Sequence, residues 1–215
     1  MMNYVYASLT VILAYLLGSI SFAIILSKIF LKKDVREMGS GNAGTTNVMR
    51  VGGFLPGALT FVFDALKGFV ACYLGKIIFE NVFSNGEEWG IYGAFLCGVA
   101  CMLGHVFPIF FQFKGGKGIA TSVGIFAVCC PVAIICGLTV FAIGVLITRI
   151  VSLSSMLATV TVVTLTIIFH SDAALFWPQA LLAVTMGVIV VLKHIENIKR
   201  LINGAEKKLT IGGKK

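Results

Sequence analysis

The sequence predicts an all-α integral membrane protein, a polytopic helical bundle of seven transmembrane helices, some of them short. The N-terminus is expected outside and the C-terminus in the cytoplasm. Three observations carry that expectation. Of 215 residues, 58% are apolar and only 12% are charged, about half the usual charged share. The mean hydropathy is +1.00, and several apolar runs are long enough for a bilayer. The charges fall in blocks between those runs, basic blocks alternating with acidic ones. The length suits one domain, taken as residues 1–215.

The first span is read at 4–27, "YVYASLTVILAYLLGSISFAIILS". No basic segment precedes it and no A-x-A-like cleavage site follows, so it reads as a retained helix rather than a signal peptide. Residues 28–53 then carry Lys28, Lys32, Lys33, Arg36 and Arg50 against Asp34 and Glu37. Cytoplasmic loops keep Lys and Arg, which places this loop inside. A second span, 54–79, leads out to the acidic segment 80–88, with Glu80, Glu87 and Glu88. A third, 89–112, returns to "FKGGKG". Spans at 155–170 and 173–192 bracket an outer loop whose one charge is Asp172. They deliver inside a tail carrying Lys193, Lys199, Arg200, Lys207, Lys208, Lys214 and Lys215 against two glutamates. The net charge of +8 therefore reads as orientation rather than as a nucleic-acid surface.

Residues 118–148 are the difficult stretch. A single crossing would strand Arg149 and the basic tail outside. A hairpin of two short spans around Pro131, or a re-entrant segment, restores the charge rule. Two short spans are the preferred reading, and five spans the alternative. Within the second span, Asp64 and Lys67 lie at i, i+3 and can neutralise each other on one face. They are either a structural pair facing the protein interior or part of a site near the cytoplasmic end. All six cysteines lie in apolar runs, so they read as buried, inert thiols.

This threading gathers four unusual segments on the cytoplasmic side: 36–53, 104–121, 148–155 and 193–208. The first contains "GSGNAGTTNVMR". Each segment has an ordinary explanation by itself. Glycines make turns, Ser-rich helix starts are caps, and basic amphipathic helices lie on anionic lipid. On one face together they point to an anion site. Glycines let backbone N–H groups line a concavity, and a following helix N-terminus adds its positive end. Ser40, Asn42, Thr45, Thr46 and Asn47 supply neutral donors, while Arg50 and Lys117 supply charge suited to phosphate. A lone His194 is more often structural than catalytic. In its helix, 100° per residue puts His194, Asn197, Ile198 and Leu201 on one face.

A nucleotide is excluded by context. Gly39-x-Gly41-x-x-Gly44 fits the dinucleotide fingerprint, but a helix precedes it where a strand is required. The P-loop lysine is replaced by Thr45. G-x-S-x-G, H-E-x-x-H and C-x-x-C are absent, as is a His followed five residues later by Asp. An enzyme without an evident nucleophile suits a substrate that arrives already activated.

"GSGNAGTTNVMR", "GHVFPIFFQFKGGKGIAT" and "HIENIKRLINGAEKK" resemble the three signature segments of the bacterial acyl-phosphate:glycerol-3-phosphate acyltransferases. "LLGSISFAIILSKI", "FDALKG" and "VSLSS" are similar to that family too, in the right order along the chain. The resemblance implies a membrane enzyme of the bacterial inner membrane with its site at the cytoplasmic face. It implies acyl transfer from acyl phosphate to the 1-hydroxyl of glycerol 3-phosphate, giving lysophosphatidic acid and phosphate, the first step of phospholipid synthesis. Carried over by position, Ser40, Gly41, Asn42, Gly44, Thr46 and Asn47 would hold the acyl-phosphate oxygens, with Gly115 and Gly116 in the second cradle. Arg50, Lys117, Ser155, His194 and Asn197 would line the pocket for the two phosphates. Ser152 and Glu206 are weaker matches, the latter a helper that orients basic groups. The resemblance implies no cofactor, metal or nucleic acid. The partners are the two substrates, the lipid bilayer and a transient acidic acyl-delivery protein. The rival reading from the residues is a transporter of a phosphorylated solute or lipid. A third is a structural subunit whose basic loops bind headgroups.

Overall fold

The computed structural model describes residues 2–83, 86–171 and 176–209, and over these the chain is helical with no strand. Asp172 of the expected outer loop and Lys214 and Lys215 of the basic tail lie outside the described residues. The helices are α1 (Met2–Gly18), α2 (Phe22–Leu31), α3 (Thr45–Gly52), α4 (Phe54–Val82) and α5 (Gly86–Val106). They continue as α6 (Ile119–Cys129), α7 (Pro131–Thr148), α8 (Val151–Phe169), α9 (Phe176–Lys193) and α10 (Ile195–Ile202).

Five stretches are long and apolar enough to cross a membrane: Met2–Leu31, Gly86–Phe111, Pro131–Thr148, Val151–Phe169 and Phe176–Lys193. α4 has 29 residues, about 43 Å at 1.5 Å per residue, against a hydrocarbon core of about 30 Å. It carries Asp64 and Lys67, which face each other with Nζ 2.8 Å from Oδ1 and both side chains 1% exposed. α6 has only 11 residues and reaches about 16 Å.

The stretch expected as one span at 4–27 is two helices, broken at Ser19–Ser21. At the break the Tyr15 carbonyl accepts from both the Ser19 N–H and the Ser19 Oγ, each at 2.9 Å. The freed Ile20 carbonyl accepts from Lys67 Nζ at 2.7 Å. A backbone carbonyl released inside a membrane needs a partner, and the buried lysine supplies one.

α4 lies centrally, packed against α1, α3, α5 and α6, while α7, α8 and α9 form a second layer. Several crossings depend on glycine. A Cβ at Gly104 of α5 would meet the Tyr15 carbonyl of α1, and one at Gly124 of α6 would meet the Ala65 carbonyl of α4. Small residues that let backbones touch are the usual device for membrane helices, since lipid offers no hydrophobic drive for association. The main apolar core joins Cys72 of α4, Met102 of α5, Ile125 and Phe126 of α6, Val162 of α8, and Leu182 and Met186 of α9. At Cys130 the chain breaks between α6 and α7, and Pro131 opens α7, where its missing N–H costs no hydrogen bond.

Candidate active site

The opening loop is organised by its own residues. Asn47, 1% exposed, accepts from the Ser40 N–H at 2.8 Å through Oδ1. Its amide donates to the carbonyls of Val35, Met38 and Asn42 at 2.9–3.1 Å. Gly39 and Gly41 take positive φ, 62° and 74°, a backbone region nearly closed to other residues. α3 starts at Thr45 after Gly44 with no side-chain cap; the Asn47 N–H turns back to the Gly44 carbonyl at 3.1 Å, which leaves the N–H groups of Thr45 and Thr46 for a ligand. Arg36 ties this loop to the second segment: paired with Asp34 at 2.9 Å, it also donates to the Phe111 carbonyl at 2.9 Å.

The four segments surround one cavity of about 1090 Å³. Ser40, Gly41, Asn42, Gly44, Thr46, Asn47, Arg50, Lys117, Ser152, Ser155, His194, Asn197 and Glu206 all line it. First-turn or capping residues of α3, α6, α8 and α10 are among the lining, so four positive helix ends contribute to one space. Arg50 Nε and Thr45 Oγ1 are buried with no hydrogen-bond partner. A buried donor left open costs free energy, and an anion in the cavity would satisfy it.

On the far wall the polar groups are already connected. Lys117 Nζ donates to Asn197 Oδ1. The Asn197 amide donates to Glu206 Oε1 at 2.6 Å, Ser152 Oγ to the same oxygen at 2.8 Å, and Arg200 Nε to Glu206 Oε2 at 2.7 Å. Burial raises the Glu206 carboxyl, but these donors, Arg200 foremost, hold it below its usual range. Burial pushes Lys117 down to about 8, opposed by Glu206 and assisted by the charges of Arg200, Lys193 and Arg50. His194, 3% exposed, is pushed down to about 4 by burial and then by Lys117. Its Nδ1 lies 2.8 Å from the Val190 carbonyl. A carbonyl only accepts, so Nδ1 carries the proton and Nε2 is left as an acceptor.

Three placements differ from the sequence expectation. Gly115 and Gly116 lie behind the cavity lining. Their N–H groups bond the carbonyls of Val106 and His105, each at 3.2 Å, so they serve the close packing of the turn against α5. Asn47 borders the cavity, but its side chain is fully engaged in shaping the loop. Asp64 and His105 also line the cavity. The Asp64 placement fits the second of its two sequence readings, a site near the cytoplasmic end, whereas no spacing rule links His105 to it.

The cavity continues into the bundle as an apolar slot. α7 contributes Ile134, Leu138 and Phe141, α8 Ala158 and Val162, and α9 Met186. One compartment therefore joins a mouth lined by Arg50 and Lys117 to an apolar interior.

Residues 8–204 match the family model described as glycerol-3-phosphate acyltransferase. Glycerol-3-phosphate acyltransferase 2 of Bacillus anthracis is 40% identical over 203 residues, 94% of this chain and 98% of that protein. The glycerol-3-phosphate acyltransferase of Thermoanaerobacter pseudethanolicus is 42% identical over 207 residues, 95% of this chain and 96% of the other. The crystal structure of PlsY, an integral membrane glycerol 3-phosphate acyltransferase, in its glycerol 3-phosphate form, is similar with a TM-score of 0.83 and 35% identity. That match covers 95% of this chain and 96% of that one. The lysophosphatidic acid form of PlsY is similar with a TM-score of 0.79 and 36% identity, covering 94% of each chain.

Proposed function

The chain belongs to the glycerol-3-phosphate acyltransferase family, and we propose that its acyl donor is an acyl phosphate. It transfers the acyl group to the 1-hydroxyl of glycerol 3-phosphate, releasing lysophosphatidic acid and phosphate, as the first step of phospholipid synthesis. The single observation that carries this reading is the continuity of the cavity: cations and open helix ends at one end, an apolar slot at the other. An amphiphile with a phosphate head and an acyl tail fits both ends at once.

The chemistry follows from the groups present. The donor is a mixed anhydride, so its carbonyl carbon is already activated. The 1-hydroxyl oxygen of glycerol 3-phosphate attacks that carbon, and the bond from the carbonyl carbon to the phosphate oxygen breaks. Phosphate leaves with the electron pair. Arg50, Lys117 and the first-turn N–H groups of α3 stabilise the departing charge. Positioning supplies much of the remaining acceleration. The hydroxyl proton passes to a phosphate oxygen of the donor. His194 orients the hydroxyl through Nε2 and is not the base. A group held near 4 is a weak proton acceptor, and Nδ1 has a carbonyl behind it rather than a carboxylate.

The enzyme sits in the bacterial inner membrane with its N-terminus outside and its active site facing the cytoplasm. Seven spans are formed by the α1–α2 pair and by α4 through α9 without the short helices α3 and α10. The length of α4 and the helix break at Cys130 support that count. Exposed Lys199 and Lys207 near the mouth favour transient contact with an acidic acyl-delivery protein.

Arg50→Ala tests the site. Losing charge-assisted contacts to one phosphate, worth about 1.5–3 kcal/mol, should raise KM for a phosphate substrate by roughly 10–100-fold. The purified variant should remain monodisperse. A fully active Arg50→Ala protein would remove the site assignment.

A further inference from the structure

We propose that Asp64 and His105, with Lys67 beneath them, form a positioning floor that holds the Lys117 turn, and through it the Lys117 ammonium, against the substrate phosphate. This rests on the acyltransferase reading above and adds residues to its machinery. The three side chains come from α4 and α5, and all are at most 5% exposed. Lys67 Nζ is shared between Asp64 Oδ1 at 2.8 Å and the Ile20 carbonyl at the α1–α2 break at 2.7 Å. His105 Nδ1 lies 3.6 Å from the same Asp64 oxygen. That is beyond hydrogen-bond length, and His105 Nδ1 has no other partner.

The turn bearing Lys117 is built on His105. Its carbonyl accepts from Gly116 N–H at 3.2 Å. A Cβ at Gly116 would strike His105 Nε2 and, at 2.6 Å, the carbonyl of Ala43 in the opening loop. The imidazole is thus wedged between the α4 carboxylate and the meeting point of two phosphate-facing loops. Lys117, next in sequence, donates to Asn197. Anything that lets the imidazole shift displaces the turn, and the ammonium moves with it.

Stability alone gives weak grounds for this cluster. A buried ion pair is often matched by well-packed apolar residues, and ionisable groups at membrane depth generally mark function. An ordinary structural pair would also have no reason to face the cavity, yet Asp64 and His105 both line it.

The test is kinetic, on full-length protein in detergent. Lysophosphatidate formation is measured for wild type, His105→Leu, His105→Asn, Lys117→Met and the His105→Leu/Lys117→Met pair. Asn places an amide N–H near the position of Nδ1. We expect His105→Leu to raise KM for glycerol 3-phosphate roughly tenfold with kcat little changed, and His105→Asn to recover most of that loss. The double variant should be no worse than Lys117→Met, because the defect runs through Lys117. Wild-type kinetics in His105→Leu, or additive defects in the double variant, would overturn the inference. If His105→Leu does not fold, His105→Asn is compared with His105→Gln, whose amide mimics Nε2. A better KM for Asn supports the floor, and equal values count against it. A wild-type protein that makes no product sinks the acyltransferase reading instead. Binding of inorganic phosphate to the same variants then reads the floor separately.

Discussion

Lys117 is held to about 8 by burial against the opposing pull of Glu206, so its positive charge is present at neutral pH and lost as pH rises through that value. The Lys117 contribution to affinity for a phosphate ligand should therefore be constant below about pH 7 and fall by up to roughly tenfold per pH unit above 8. It is superimposed on the ligand's own second ionisation at about pH 6. Titration of inorganic phosphate binding checks this. Lys117→Arg, whose charge persists to far higher pH, should flatten the fall. His194→Gln tests the other polar anchor. Its amide can still accept from the substrate hydroxyl, so turnover at saturating substrate should stay near normal. A loss of several decades in kcat with unchanged KM would make His194 the base. Residue types at this site were legible because glycines, hydroxyls and cations clustered in four segments. What the sequence left open was which polar atoms were already spent. Asn47 has the composition of a ligand and the hydrogen bonds of a loop organiser. Gly115 and Gly116 look like a cradle and pack against α5.

At the scale of elements, the tail from 203 to 209 closes one side of the cavity. Leu209 N–H bonds the Arg149 carbonyl at 2.6 Å, Lys207 Nζ reaches the Gly39 carbonyl at 3.3 Å, and Glu206 takes donors from α8 and α10. Glu206→Gln keeps the shape but loses the charge beside Arg200 and Lys117, and should lower kcat/KM by roughly tenfold, with the larger part in KM. Steady-state kinetics in detergent reads it. The carboxyl is held low, so the strap should stay closed at neutral pH. It should loosen only as pH falls through and below the ordinary carboxylate range. Helix existence was readable from apolar run length, and α4, α8 and α9 begin and end within a few residues of expectation. The break at Ser19–Ser21 was not. It depends on Lys67, 47 residues away in sequence, supplying the partner for the Ile20 carbonyl. Hydropathy averages over such a break because the residues on both sides are equally apolar.

The whole molecule places charge and grease in separate layers and puts the site where they meet. α4 runs from the phosphate-facing end, where Phe54 lines the cavity, to Glu80 at the opposite end. There Phe83 stacks on Trp89 with ring centroids 4.2 Å apart, the kind of aromatic cluster found at a membrane interface. The basic-inside pattern gathers all four cavity-lining segments on one side, because every loop on that side carries Lys or Arg. The slot between α7, α8 and α9 had no such marker, since the side chains lining it are of the same apolar kinds that face lipid. The proposed acyl transfer from a phosphate donor needs this cavity alone. Purified protein in detergent, supplied with acyl phosphate and labelled glycerol 3-phosphate and with no partner protein or sealed compartment, should form labelled lysophosphatidic acid and release one phosphate per product. No product under those conditions, together with labelled-solute flux once the protein is placed in liposomes, would contradict it.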